Sequence, residues 1–359
     1  MSHGRIHNFS AGPAVLPLPV LEELRETLPN LEGTGVGLME ISHRSSTFVD
    51  IFERARERVK RVLGLPDSYT VLFLQGGASS QFLMVPWNLL HGGACDYIDT
   101  GVWSTKAVKE AGRFGEVHVP WSGKSTEYLE TPSSWSSTPG AVYTHYTSNN
   151  TIYGTQFHHV PDVGDAMLVC DASSDIASRP QPYEEMDVIY AGAQKNLGPA
   201  GVTLIALSER ALARARASDA PTMLAYATHV DKKGMFNTPN TLGIWVLERV
   251  LAWVEEQGLD AVAARNKSRS DRLYELLDGS DFWLPHASSD SRSQMNITWR
   301  LADAALEPVL IQEALDAGLS GLKGHRSVGG LRASMYNALP DASADALLSF
   351  LQEFERARG

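Results

Sequence analysis

Asp187-Val188-Ile189-Tyr190-Ala191-Gly192-Ala193-Gln194-Lys195-Asn196 is an apolar run that ends in small residues and then presents one lysine. Upstream, Met167-Leu168-Val169-Cys170 is a second apolar run, and it ends in Asp171. Both runs read as buried strands, so two strands in succession deliver a carboxylate and an amine to their ends. A lysine is costly to bury unless it is paired or used chemically. One use is a Schiff base to a carbonyl cofactor, with the carboxylate holding that cofactor's ring nitrogen. This pairing describes pyridoxal phosphate chemistry. A surface lysine after an edge strand is the alternative that the pair by itself leaves open.

Outward from these two strands, short apolar runs alternate with helical or loop segments. The runs lie at 69–74, 94–99, 116–119, 141–146, 167–170, 188–191 and 202–207. Such alternation predicts an α/β domain around a mainly parallel sheet. Helices are expected at 18–27, at 48–63, where Phe48, Ile51, Phe52, Ala55, Val59 and Val62 recur at helical spacing, and at 245–257. From about Ala261 the pattern changes. A helix at 261–277, a strand at 296–300, a helix near 309–317, a Gly329-Gly330 turn leading into 331–335 and a last helix at 342–356 predict a small α+β domain. The expected division is therefore a large α/β domain over 16–258 and a small domain over 259–359, joined by an N-terminal arm over 1–15.

The net charge of −11 sets aside long-range attraction to nucleic acid or to an anionic membrane. Local clusters of positive charge then call for a local anionic ligand. Cys95 and Cys170 are the two cysteines, and neither sits in a CxxC pair, so neither a disulfide framework nor a zinc site is expected. A reducing cytoplasm is the expected location. No apolar h-region follows Met1 to Arg5, so no signal peptide is expected. No apolar segment approaches the ~20 residues that cross a bilayer.

Several segments could carry chemistry. Val71-Leu72-Phe73-Leu74-Gln75-Gly76-Gly77-Ala78-Ser79-Ser80-Gln81-Phe82 reads as strand, Gly-Gly turn and helix start. Free N–H groups of a first helical turn bind phosphate, and glycines let the backbone come close. The competing reading is an ordinary turn with a serine N-cap. Neither a P-loop nor a dinucleotide fingerprint is present, because both spacings are missing. Trp103 follows a predicted strand, where it could stack on a cofactor ring or simply fill the core. Thr151 follows the 141–146 run, where its hydroxyl could meet a phenolate oxygen or only shape a turn. The cations His43, Arg44, His325, Arg326 and Arg332 sit among small residues in loops. Arginine favours bidentate contact with carboxylate and phosphate, so this set suits a substrate that carries both.

Together these residues resemble the phosphoserine aminotransferases, a family of fold-type-I pyridoxal-phosphate enzymes. The resemblance runs from Asn8-Phe9-Ser10-Ala11-Gly12-Pro13 to Gly330-Leu331-Arg332-Ala333-Ser334-Met335-Tyr336-Asn337. It is strongest over 75–82, 148–154, 191–198, 236–241 and 324–337. It implies pyridoxal 5'-phosphate held by Lys195, with Asp171 on the pyridinium nitrogen, Trp103 on the ring face and Thr151 at the phenolic oxygen. Gly77, Ala78, Ser79 and Gln194 would hold the phosphate. Asn237 and Thr238 would reach the neighbouring subunit's cofactor, which requires a homodimer. Arg332 would bind the substrate α-carboxylate, and His43, Arg44, His325 and Arg326 the phosphate or second carboxylate. Two departures stand out: Ser79 where some members carry arginine, and Asn150 where many carry glutamate.

The implied reaction moves an amino group reversibly between O-phospho-L-serine and 2-oxoglutarate, giving 3-phosphohydroxypyruvate and L-glutamate. It serves L-serine synthesis and, as the resemblance suggests, pyridoxine synthesis through 4-phosphohydroxythreonine. A cysteine desulfurase shares the fold, but its cysteine follows the lysine, whereas both cysteines here precede Lys195. An alanine–glyoxylate or serine–pyruvate enzyme would not need two extra His-Arg pairs. A non-catalytic cofactor-binding interaction protein would not need the lysine, aspartate, threonine and anion-binding loops together.

Overall fold

Each of the seven apolar runs becomes a strand of one seven-stranded sheet. In the computed structural model, which describes residues 4–359, the strand order across the sheet is Thr70–Leu74, Thr203–Leu207, Val188–Gly192, Met167–Asp171, Tyr143–Thr147, Ala94–Asp99 and Glu116–Ser122. Thr203–Leu207 runs antiparallel to both of its neighbours, and every other pairing is parallel. The register sets Thr147 beside Asp171 and Asp171 beside Tyr190. Met167–Asp171, Val188–Gly192 and Thr203–Leu207 are buried along their whole length, which explains why they read as apolar runs. Glu116–Ser122 is one of the two edge strands, with Thr70–Leu74 at the other side. It is partly exposed and tolerates Pro120, whose missing N–H would break a central ladder.

Side chains alternate across this sheet and build a core on each face. Ile189, Ala191, Leu204 and Ala206 face one side, against Phe48, Ile51, Phe52, Ala55 and Val59 of the Ser46–Leu63 helix and Leu247 and Leu251 of the Thr241–Gln257 helix. Val188, Tyr190 and Ile205 face the other, against Phe82, Val85 and Leu89 of the Gly77–Leu89 helix and Ala107 of the Val102–Ala111 helix. Full burial of each large apolar side chain contributes about 1.5–3 kcal/mol. The Ser46–Leu63 helix starts where Ser45 Oγ accepts from Phe48 N at 3.2 Å, and it stops at Gly64 in the left-handed region (φ 65°). Between the two helices on the first face, buried Glu248 meets Arg58 at 3.1 Å, Arg54 at 3.7 Å and its neighbour Arg249.

A third core gathers Leu273, Trp283, Ile297, Trp299, Leu310, Leu331, Leu347 and Leu351 with Phe9 and Val15 of the N-terminal arm. It lies against an antiparallel sheet of Trp283–Pro285, Asn296–Leu301 and Leu331–Ser334. The arm is tied in by His7–Asn8, which pairs in parallel with Leu319–Ser320. The first three residues of the expected 1–15 arm lie outside the described residues. The expected helices are present as Leu18–Thr27, Ser46–Leu63, Thr241–Gln257, Leu259–Asp278, Glu307–Asp316 and Asp341–Arg358.

Candidate active site

The strand ends do converge. Asp171 is the last residue of its strand, and Lys195 sits in the turn that follows Val188–Gly192. That turn is closed by Leu197 N on Ala193 O at 3.0 Å and Gly198 N on the same oxygen at 2.8 Å, while Ala193 N donates to Val202 O at 2.9 Å. Ser173 links the two strands: its N–H donates to Asp171 Oδ1 at 3.0 Å, and its Oγ accepts from Gly192 N at 3.2 Å. Lys195 Nζ donates to Thr151 Oγ1 at 2.7 Å, and Arg332 Nη1 donates to Thr151 O at 3.2 Å. Asn150 sets Thr151 in place. Its Nδ2 donates to Thr100 O at 2.8 Å, and its Oδ1 accepts from Ile152 N at 2.9 Å and Tyr153 N at 3.1 Å. The Asn150 departure thus has a structural role, closing the turn that presents the threonine.

The phosphate-type turn is open as well. Gly76 (φ 101°) is the N-cap of the Gly77–Leu89 helix, with no side chain capping its first turn. A Cβ on Gly76 would lie 2.9 Å from Ser80 Cβ, so position and contact both demand glycine. Ser80 spends its hydroxyl on Gly77 O at 2.8 Å, and this rules out the reading of an ordinary serine cap. The strand carrying Lys195 passes close by, since a Cβ on Gly192 would lie 3.7 Å from Ala78 N.

One cavity of about 240 Å³ is lined by Gly77, Ala78, Ser79, Trp103, Asp171, Gln194 and Lys195, with Thr147, Asn149, Ser173 and Ser174 among the rest of its wall. Burial lowers the Lys195 pKa to about 8; Asp171 opposes that shift and Arg332 reinforces it. Burial raises the Asp171 pKa, while Ser173 and Lys195 pull it back. These groups fit pyridoxal phosphate. They supply a partly neutral amine, a buried carboxylate for a cationic ring nitrogen, uncapped amides for a phosphate and an indole in the wall.

The cations are less closely gathered. His325 and Arg326 lie on the turn before Arg332, where His325 Nδ1 pairs with Ser327 Oγ at 2.6 Å. Burial lowers the His325 pKa, with Arg332, Arg326 and Lys106 adding to the effect. His43 and Arg44 sit in the loop before the Ser46–Leu63 helix and do not line the cavity. Asn237 and Thr238 are exposed outside it, with Thr238 O accepting from Gln75 Nε2 at 3.2 Å.

Sequence reasoning missed the polar floor of the site. Asp175 is fully buried, accepting from Ser148 Oγ and from Gln156 Nε2 at 3.1 Å. Asn149 Nδ2 donates to Ser174 Oγ and Asn296 Oδ1, both at 2.8 Å. The expected N-terminal arm also reaches the site, a contact the sequence reading did not include: Ala14 N donates to Gln194 O at 2.9 Å, and Tyr336 OH to Ala11 O at 2.8 Å. The run Asp171-Ala172-Ser173-Ser174-Asp175, polar directly after a buried strand, was the one available signal.

Comparison with known proteins agrees with this geometry. The family model for class-V aminotransferases matches residues 6–347. A phosphoserine aminotransferase of Syntrophobacter fumaroxidans is 50% identical over 359 residues, 99% of each chain. The structure of phosphoserine aminotransferase from Bacillus circulans subsp. alkalophilus superposes with a TM-score of 0.96 at 44% identity, covering 99% of both chains. The pyridoxal-phosphate-bound enzyme of Trichomonas vaginalis superposes with a TM-score of 0.92 at 34% identity, over 97% of this chain and 100% of that one. The chain belongs to the class-V aminotransferase family and, within it, to the phosphoserine aminotransferases.

Proposed function

We propose that this protein is a pyridoxal-phosphate-dependent transaminase that exchanges an amino group between O-phospho-L-serine and 2-oxoglutarate, forming 3-phosphohydroxypyruvate and L-glutamate, in L-serine synthesis. The observation that carries the reading is Lys195 and Asp171 in one cavity within a chain that matches phosphoserine aminotransferases end to end. When bound, the cofactor supplies a carbonyl for the amine and a ring that takes up electrons.

The chain's own residues do the rest. Lys195 Nζ would hold the cofactor and, when its amine is free and neutral, would take the proton from the substrate Cα. Its lowered pKa supports this, since a base must be neutral to accept a proton. Asp171 would keep the ring nitrogen protonated, and a cation there would offset the cost of burying its charge. Trp103, in the cavity wall, would cover the ring, and the Thr151 hydroxyl beside Lys195 would meet its phenolic oxygen. The first-turn amides at Gly77, Ala78 and Ser79, with Gln194, take the phosphate. Arg332 takes the α-carboxylate, and His325 and Arg326 the distal anion.

Asn237 and Thr238 lie outside their own cavity, which supports a homodimer in which they complete the neighbouring subunit's site. The same route is open to His43 and Arg44. We take 16–258 as the large domain and 259–359 with the arm as the small one; the arm's pairing with Leu319–Ser320 supports this division. A cytoplasmic location is supported by two buried free cysteines, Cys95 and Cys170. No helix among the described residues is long and apolar enough to cross a membrane.

The test is a half-reaction. O-phospho-L-serine should convert the yellow holoenzyme to its colourless amine form much faster than L-alanine or L-serine does. Equal rates for the three donors would sink the assignment.

A further inference from the structure

We propose that Lys106 is a specificity-determining residue of this site, its ammonium receiving the distal phosphate of the amino-acid substrate at the cavity mouth. The inference rests on the transaminase reading above. Lys106 stands three residues after Trp103 on the Val102–Ala111 helix, and residues so spaced share a helix face. Its Nζ lies 4.6 Å from the centroid of the Trp103 ring, and Trp103 lines the cavity of Lys195 and Asp171.

No carboxylate among the described residues pairs with Lys106, and Glu110, one turn further along the helix, is taken by Arg113 at 3.2 Å. An exposed ammonium over an indole face is held weakly, so an arriving anion can draw it away. More positive charge lies beside it. Lys106, Arg326 and Arg332 all act on His325, lowering its pKa in addition to burial. A rim of cations that no carboxylate among the described residues pairs attracts a ligand bearing several negative charges. Ser79, exposed at the start of the neighbouring helix, offers a hydroxyl there and no charge. Lys106 supplies a cation from the next helix.

Lys106 is exposed, so Lys106→Met should fold normally, and a thermal melt checks this. The readout is the ratio of kcat/KM for O-phospho-L-serine to kcat/KM for L-serine, measured on the holoenzyme. Losing one charge-assisted hydrogen bond should lower that ratio about tenfold, mainly through KM for O-phospho-L-serine. Lys106→Arg should keep most of the preference. An unchanged ratio, or an equal loss for both donors, would overturn the proposal while leaving the transaminase reading intact. A wild-type holoenzyme that fails to turn over O-phospho-L-serine would overturn both.

Discussion

Lys195 Nζ donates a 2.7 Å hydrogen bond to the hydroxyl of Thr151, a residue whose backbone carbonyl also accepts from Arg332. One threonine therefore touches the amine expected to carry the chemistry and the guanidinium expected to hold the substrate. Thr151→Val keeps the shape and the carbonyl but removes the hydroxyl. The loss of one buried hydrogen bond should cut kcat/KM for O-phospho-L-serine about tenfold, with the cofactor still bound. Wild-type kinetics in this variant would make the contact incidental.

The lowered pKa of Lys195 has its own consequence. Cofactor capture needs the neutral amine, and the neutral fraction grows as pH rises through the pKa. With that pKa lowered from 10.5 to about 8, the rate of pyridoxal phosphate loading into apoenzyme should be half-maximal near pH 8. An ordinary lysine would still be almost wholly protonated there. Stopped-flow absorbance across pH 6.5–10 checks this, and a rate still climbing steeply at pH 10 would contradict it. Lys195→Ala should abolish the yellow colour and lower turnover about 10³-fold or more, the scale of a lost general base.

The strands Met167–Asp171, Val188–Gly192 and Thr203–Leu207, and with them the Lys195–Asp171 pair, were legible for one physical reason. Strands buried on both faces must be apolar, so a charged residue at their ends is conspicuous. Trp283–Pro285, His7–Asn8 and Leu319–Ser320 are too short to show any period. Ser173, Asp175 and Asn149 read like turn residues, because a polar side chain declares its burial only through its partners. His43, Arg44, Asn237 and Thr238 came from the family resemblance or from charge alone. A single chain does not bring them to its own cavity.

Gly76 offers a test of the phosphate turn. An alanine there must adopt φ near 101° and bring a methyl group to 2.9 Å from Ser80 Cβ. The left-handed backbone alone costs about 1–2 kcal/mol. Gly76→Ala should therefore weaken pyridoxal phosphate binding about tenfold or more, as read by equilibrium dialysis of the apoenzyme. Gly64→Ala is the control. It carries a similar positive φ at the end of the Ser46–Leu63 helix, in open space, and should lower stability without altering cofactor affinity.

Glu248 tests what joins the two helices on the first face of the sheet. It is fully buried, with Arg58 at 3.1 Å and Arg54 at 3.7 Å reaching it from the neighbouring helix. Removing one member of a buried ionic cluster strands the others, so Glu248→Ala should destabilise the fold by about 3 kcal/mol. Urea unfolding measures this, and a change below about 1 kcal/mol would show that the partly exposed arginines resolvate freely.

Ser173 carries the sharpest pH prediction. Its hydroxyl and its amide both favour the ionised form of Asp171, against the burial that raises that carboxyl's pKa. Ser173→Ala removes the hydroxyl and leaves the amide, so the Asp171 pKa should rise further. Activity that needs ionised Asp171 is present above this pKa and is lost as pH falls through it. The acid limb of the kcat profile should therefore move to higher pH in Ser173→Ala, with the plateau little changed. A uniform fall at every pH would instead mean that Ser173 acts by linking the Asp171 strand to Gly192, where its Oγ accepts the 3.2 Å hydrogen bond. Ser173→Thr keeps the hydroxyl and should restore the wild-type limb, which separates the electrostatic role from the structural one.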